Sequence, residues 1–156
     1  MNEAYEEIIH GESIFRPPPG ARHERICLRL HSLLAASLLQ MTATRLLSAR
    51  SIVQLTTGTL LRPDLSLVTT ATGKAWLFAE IINSEDHRAD TVIKKSLYEE
   101  LNVPRLWMID ARYDNLEIYH GTPHGLALKG ILAGRERMDE RLLPDLTFPV
   151  AELFVD

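Results

Sequence analysis

Cysteine is nearly absent: Cys27 is the only one in 156 residues. No intrachain disulfide can form, a zinc site built on several thiolates is excluded, and a cytoplasmic location is the expectation. Long apolar runs are missing too. Nowhere do about eighteen uncharged apolar residues follow one another, so no membrane-crossing helix is expected. The first residues, MNEAYEEIIHGE, are acidic where a secretory signal would be basic and then apolar, which argues against export. Positive charge is in deficit, with a net charge of −4 and a pI of about 5.9. Such a balance does not hold nucleic acid by bulk electrostatics, because counterion release needs clustered Lys and Arg. It leaves room for a localised basic patch beside an acidic site. Internal repeats and low-complexity tracts are absent, and Gly73-Lys74 lacks the rest of the glycine pattern of a phosphate-binding loop.

What remains is an ordinary globular composition, 46% hydrophobic and 24% charged, at a length that suits one domain over residues 1–156. Tyr5 to Phe15 reads as two short strands about His10-Gly11, and Pro17 to Pro19 stop any regular element. From Arg22 to about Arg50, Ile26, Leu30, Leu33, Leu34, Leu38 and Met41 recur at helical spacing and predict the longest helix. Strands follow at Ser51–Thr59, Leu61–Val68 and Trp76–Ile82, the last apolar on both faces. Ser84 or Asp86 caps a helix that turns Val92, Ile93, Leu97 and Leu101 to the core, and Asn102 and Pro104 end it. Arg105–Asp110 and Asn115–His120 form a hairpin, and Leu126–Leu132 adds a further strand. The order αβββαβββ indicates an α/β sheet of mixed direction.

Two carboxylates lie where a soluble domain rarely puts them. Asp64 enters an apolar run, and Glu80 sits inside one of the most hydrophobic segments of the chain. An unpaired charge in a protein interior costs several kcal/mol, so each acid is expected to meet a cation, a proton or a metal ion. Asp90 and Lys94 are spaced to share one helix face. Glu7 could enter the same site from the first strand, with a solvated edge-strand acid as the bland alternative. Lys95 is the substitute for Lys94 if the register is off by one. For His23 and His31 on the long helix, for Tyr98 and Trp107, and for His87 and Arg88 ahead of the second helix, ordinary structural or surface roles are the default. Neither His10 nor His23 has an adjacent nucleophile to serve as its general-base partner.

RPD before an apolar strand, an acid inside a second strand, a D-x-x-x-K-x-x-x-Y helix and a V-P-x-x-W-x-x-D strand occur in that order. The set Pro63-Asp64, Glu80, Asp90, Lys94, Tyr98, Trp107 and Asp110 resembles the Uma-type putative restriction endonuclease family of the PD-(D/E)xK nuclease superfamily. EIIHGE, the prolines and His23 extend the resemblance over nearly the whole chain.

The resemblance implies an α/β, restriction-endonuclease-like mixed sheet flanked by helices, with an N-terminal hairpin and a C-terminal hairpin extension. It implies Asp64 and Glu80 as ligands of Mg2+ or Mn2+, Lys94 as the site lysine, and DNA as the partner. A homodimer would supply two sites for the two strands of a duplex. Position 82, where the superfamily pattern has lysine, is Ile82; His10, Asn83-Ser84 and Asn102 are further departures. Two functions therefore stand side by side: a metal-dependent DNA endonuclease, and a catalytically silent module of the same fold that binds nucleic acid or a protein.

Overall fold

The computed structural model describes residues 3–83 and 89–156, with Ala89 and Asp90 described by backbone alone. Strand β1 (Tyr5–Ile9) turns at His10 and Gly11 into β2 (Glu12–Arg16), both turn residues having positive φ, 51° and 82°. Two left-handed residues match the twist of an antiparallel hairpin. Helix α1 (Ala21–Ser37) begins directly after the proline run and buries His23, Ile26, Cys27, Leu30 and Leu34.

The helix is shorter than its apolar spacing predicts. It ends at Ser37, whose hydroxyl turns back to donate to the Leu34 carbonyl at 2.7 Å, and the chain re-forms as β3 (Thr44–Leu46). Thr44 and its neighbours gain more from pairing with β6 (Leu65–Thr69) than from continuing a helix that β-branched residues disfavour. The two strands expected over Ser51–Thr59 and Leu61–Val68 are also divided differently. Residues Val53–Thr56 and Thr59–Leu61 form the hairpin β4–β5, and a break at Arg62-Pro63-Asp64 precedes β6. Pro63 has no amide to give a ladder, so the chain leaves one sheet there and enters another.

Two sheets result, one ordered β2-β1-β5-β4, the other β10-β9-β8-β7-β6-β3. In the second, β7 (Ala75–Ile82) pairs antiparallel with β6 and parallel with β8 (Arg105–Asp110). Strand β8 continues antiparallel to β9 (Asn115–Thr122), the expected hairpin, and β9 to β10 (Gly125–Ala133), the expected further strand. Leu77, Ala79 and Ile81 of β7 pack toward α1 and the C-terminal tail, whose 3-10 turn Val150–Phe154 buries Val150 and Leu153. Phe78 and Ile82, on the opposite face, pack with Ile9, Leu61, Leu97 and Tyr98 in a second core. Glu80 lies on this second face by strand alternation.

The crossover from β7 to β8 opens with a π-helical turn, Ala89–Lys94, and continues as α2, Lys95–Glu100. The wider turn rotates the face that an α-helix would present, and Val92, expected in the core, is exposed. Lys94, Leu97 and Tyr98 are buried, and Asn102 has the left-handed φ of 55° that its place after the helix predicts. The capping roles expected of Ser84 and Asp86 lie outside the described residues, as do His87 and Arg88. Among the described residues, no helix is long and apolar enough to cross a membrane.

Candidate active site

The break between β5 and β6 builds the site. Where the chain changes sheets, the Arg62 amide has no strand partner and donates to Glu7 Oε2 at 2.7 Å. Glu7 comes from the middle of β1, is fully buried, and accepts from Arg16 Nε at 2.8 Å through Oε1. Two residues past Arg62, Asp64 stands at the mouth of β6. The β6–β7 register begins at Leu65 opposite Ala79, and extended by one step it brings the Asp64 backbone opposite that of Glu80.

Lys94 ties the two sheets together. Its ammonium lies 2.7 Å from Glu80 Oε1 and 3.0 Å from Glu7 Oε2, with all three side chains buried. Tyr98, one α-helical turn further on, donates its hydroxyl to the same Glu80 oxygen at 2.6 Å while its ring stacks on Phe78 with centroids 4.7 Å apart. It is therefore both a core aromatic and a polar neighbour of the acid.

Asp64 is held from the other side. Oδ2 accepts the Ile81 amide at 2.8 Å and lies 3.2 Å from His23 Nε2, and Oδ1 lies 3.2 Å from an Arg50 guanidinium nitrogen. Burial alone would favour the neutral acid, but His23, by charge and hydrogen bond, then the Ile81 amide and Lys94 hold Asp64 below the usual carboxylate range. Glu80 behaves in the opposite way. Burial outweighs the Lys94 ammonium, Asp64 and Glu7 add like-charge repulsion, and its carboxyl is pushed up to about 7. Two acids with oppositely displaced pKa values in one cluster form an acid–base asymmetry of the kind active sites use. Burial, and then the Asp64 charge, also raise the Tyr5 phenol.

Several of these partners have no sequence signal. Arg16, Arg50, Glu24 and Tyr5 are ordinary polar residues in the sequence, and only the folded chain brings them to the acids; Arg62 stands in the RPD motif and contributes its backbone amide. His23 does carry a signal, its place at the start of the first helix within the family resemblance, and it stands against Asp64. Its second nitrogen, Nδ1, lies 3.4 Å from Glu24 Oε1. A carboxylate therefore stands near each nitrogen, hydrogen-bonded at Nε2 and at ion-pair distance at Nδ1. Burial lowers the His23 pKa, but Asp64 overcomes this and the net displacement is upward.

Lys95 takes no place in the cluster, its ammonium resting 4.4 Å from the Tyr119 ring centroid. Asp110 pairs with Arg112 at 2.8 Å, Trp107 is a buried core residue, and the Asp90 side chain lies outside the described residues. Among the described residues, no three His, Cys, Asp or Glu side chains gather as a metal-holding group. A cleft of about 490 Å³ adjoins His23, lined also by Arg22, Asn83 and Arg112.

The chain superposes on the crystal structure of a putative nuclease belonging to DUF820 from Anabaena variabilis with a TM-score of 0.78 at 14% identity. The match covers 96% of this chain and 89% of that one, and at that identity it establishes the fold. No curated protein matches the sequence. The family model Uma2, described as "Putative restriction endonuclease", matches residues 2–151. With almost the whole chain so matched, on a shared fold and with buried acids around one lysine, this protein belongs to the Uma2 family.

Proposed function

We propose that the chain is a cytoplasmic, divalent-metal-dependent endonuclease domain over residues 1–156 that hydrolyses DNA phosphodiesters. Asp64 and Glu80 hold the metal, Lys94 is the site cation, and Glu7 holds Lys94. The observation that carries this reading is the buried Lys94 ammonium between Glu80 and Glu7, with Asp64 in the same electrostatic cluster.

The donor set fits magnesium or manganese. Both acids offer hard oxygen, a magnesium ion needs only one or two carboxylates because it keeps much of its water, and both contacts of Glu80 described above fall on Oε1, leaving Oε2 to a cation. When bound, the ion supplies Lewis-acid polarisation of a phosphate oxygen and a more acidic water. The protein's own groups do the rest. Lys94 brings a positive charge to oxygens that gain negative charge as the phosphate becomes pentavalent. Glu7, itself fixed by Arg16 and the Arg62 amide, keeps the ammonium in place. Glu80, whose carboxyl is pushed up to about 7, gives up its proton when it holds the ion, so metal binding is favoured as pH rises through that value. Ile82 occupies the strand position of the usual lysine, so Lys94 reaches the same space from the helix.

A second reading, a catalytically silent nucleic-acid or protein-binding module, is favoured by the internal cations that already neutralise the acids and by the net charge of −4. Incubation of duplex DNA with the protein and Mg2+ or Mn2+ separates the two. Cleavage by the wild type that vanishes in Asp64→Ala supports the endonuclease. Cleavage that survives Asp64→Ala, or a wild type that binds neither ion, overturns it. A homodimer, which would provide two sites for a duplex, is checked by sedimentation of the same preparation.

A further inference from the structure

Asp64 belongs to a closed ring of four side chains. His23 Nε2 lies 3.2 Å from Asp64 Oδ2, and His23 Nδ1 lies 3.4 Å from Glu24 Oε1, an ion-pair distance at which no hydrogen bond joins the two atoms. Arg50 closes the ring, 2.8 Å from Glu24 Oε2 and 3.2 Å from Asp64 Oδ1. Acidic and basic groups alternate around it. We propose that Glu24 and Arg50 are positioning residues which, with His23, fix the direction in which Asp64 presents its carboxylate.

Each Asp64 oxygen has its own partner, and this distinguishes the ring from an ordinary ion pair. A carboxylate held at one oxygen can still turn about its last torsion, which is broad for an acid. Here His23 and the Ile81 amide take one oxygen and Arg50 the other, so the plane of the group is set.

Arg50 also has a backbone suited to this role. Its φ is 55°, a left-handed conformation that a side-chain-bearing residue adopts at a cost. The Arg50 amide donates to the Asp64 carbonyl at 3.2 Å, and its own carbonyl accepts from Arg62 at 3.3 Å. The residue is thus strapped to Asp64 by main chain as well as side chain, and the guanidinium stays only 6% exposed. Lysine would keep the charge but offers one nitrogen where Arg50 gives Nη1 to Asp64 and Nη2 to Glu24.

Stated in terms of metal binding, this inference rests on Asp64 being a ligand as proposed above; the ring itself does not. The test therefore has one readout that involves metal and one that does not. The Ile81 amide, which donates to Asp64 Oδ2, reports the carboxylate's position without metal. Hydrogen exchange at that amide and Mn2+ affinity are measured in wild type, Arg50→Gln, Arg50→Lys and Glu24→Gln. Arg105→Gln, which breaks the Arg105–Glu140 pair outside the site, serves as control.

Arg50→Gln and Glu24→Gln are expected to speed Ile81 exchange about tenfold relative to the neighbouring β7 amides. They also weaken Mn2+ binding about tenfold, the usual scale for partners behind a metal ligand. Arg50→Lys falls in between, and Arg105→Gln leaves both readouts unchanged. Equal Ile81 protection in Arg50→Gln, Arg50→Lys and wild type overturns the proposal. A responsive Ile81 amide in a protein that binds no Mn2+ upholds the ring and removes the metal reading instead.

Discussion

Lys94 Nζ lies 2.7 Å from Glu80 Oε1, and both side chains are almost wholly shielded from water. Such a pair adds little over an apolar replacement of both partners, but removing one leaves a buried charge behind. Lys94→Met is therefore expected to lower stability by about 3 to 5 kcal/mol, since Glu80 and Glu7 lose their shared cation. Below pH 7 Glu80 can take up a proton, so the loss shrinks there. Chemical denaturation at pH 5.5 and pH 8, both values chosen to bracket a carboxyl near 7, checks this. Equal losses at the two values would contradict it.

The upward displacement of Glu80 also has a sign in the wild type. Between its ordinary 4.5 and about 7, the folded protein holds a proton that the unfolded chain has released. Proton binding to the native state alone makes stability fall as pH rises through that window. Asp64 acts oppositely: its lowered pKa contributes stability present above the unfolded value and lost as pH falls through the folded one. Glu80→Gln is expected to flatten the stability profile between pH 4.5 and 7 while leaving the acid limb in place. Thermal melting across that range measures it.

Tyr98→Phe keeps the stack on Phe78 and loses only the hydroxyl that donates to Glu80. A hydrogen bond to an acid that carries charge for part of the time is worth about 1.5 to 3 kcal/mol, and the unfolding free energy from chemical denaturation should fall by that amount. DNA cleavage, if Glu80 is a ligand, falls with it; Tyr98→Leu, which loses the ring as well, should be markedly worse in stability.

Gly121 supplies a test of the fold away from the acids. A Cβ there would collide with the Val103 carbonyl oxygen, in the turn that leads from α2 to β8. Gly121→Ala is expected to cost about 1 to 3 kcal/mol by overpacking, with the midpoint of unfolding as readout. The metal affinity of the folded protein stays unchanged.

The strand periodicity of Trp76–Ile82 put Glu80 on the face with Phe78 and Ile82 before any coordinates, because side-chain alternation is a local property of an extended chain. Asn102 and the hairpin of Arg105–Asp110 with Asn115–His120 were legible for the same reason: a left-handed residue, a following proline and alternating apolar residues act within a few positions. The length of the first helix was not. Its apolar spacing runs on past Ser37, and only β6, distant in sequence, offers Thr44–Leu46 a better partner.

The acids themselves could be picked out of the sequence, since a carboxylate in an apolar run declares its own desolvation cost. Lys94 could be too, from its place in the D-x-x-x-K-x-x-x-Y helix, but the arginine partners could not. Arg16 reaches Glu7 across a hairpin, and Arg50 reaches Asp64 across the sheet break at Pro63. Each of those meetings depends on how two sheets and a helix pack, and packing is a long-range outcome that no local pattern encodes. The chain alone thus names the charges that must be neutralised, and the tertiary structure decides which groups do so.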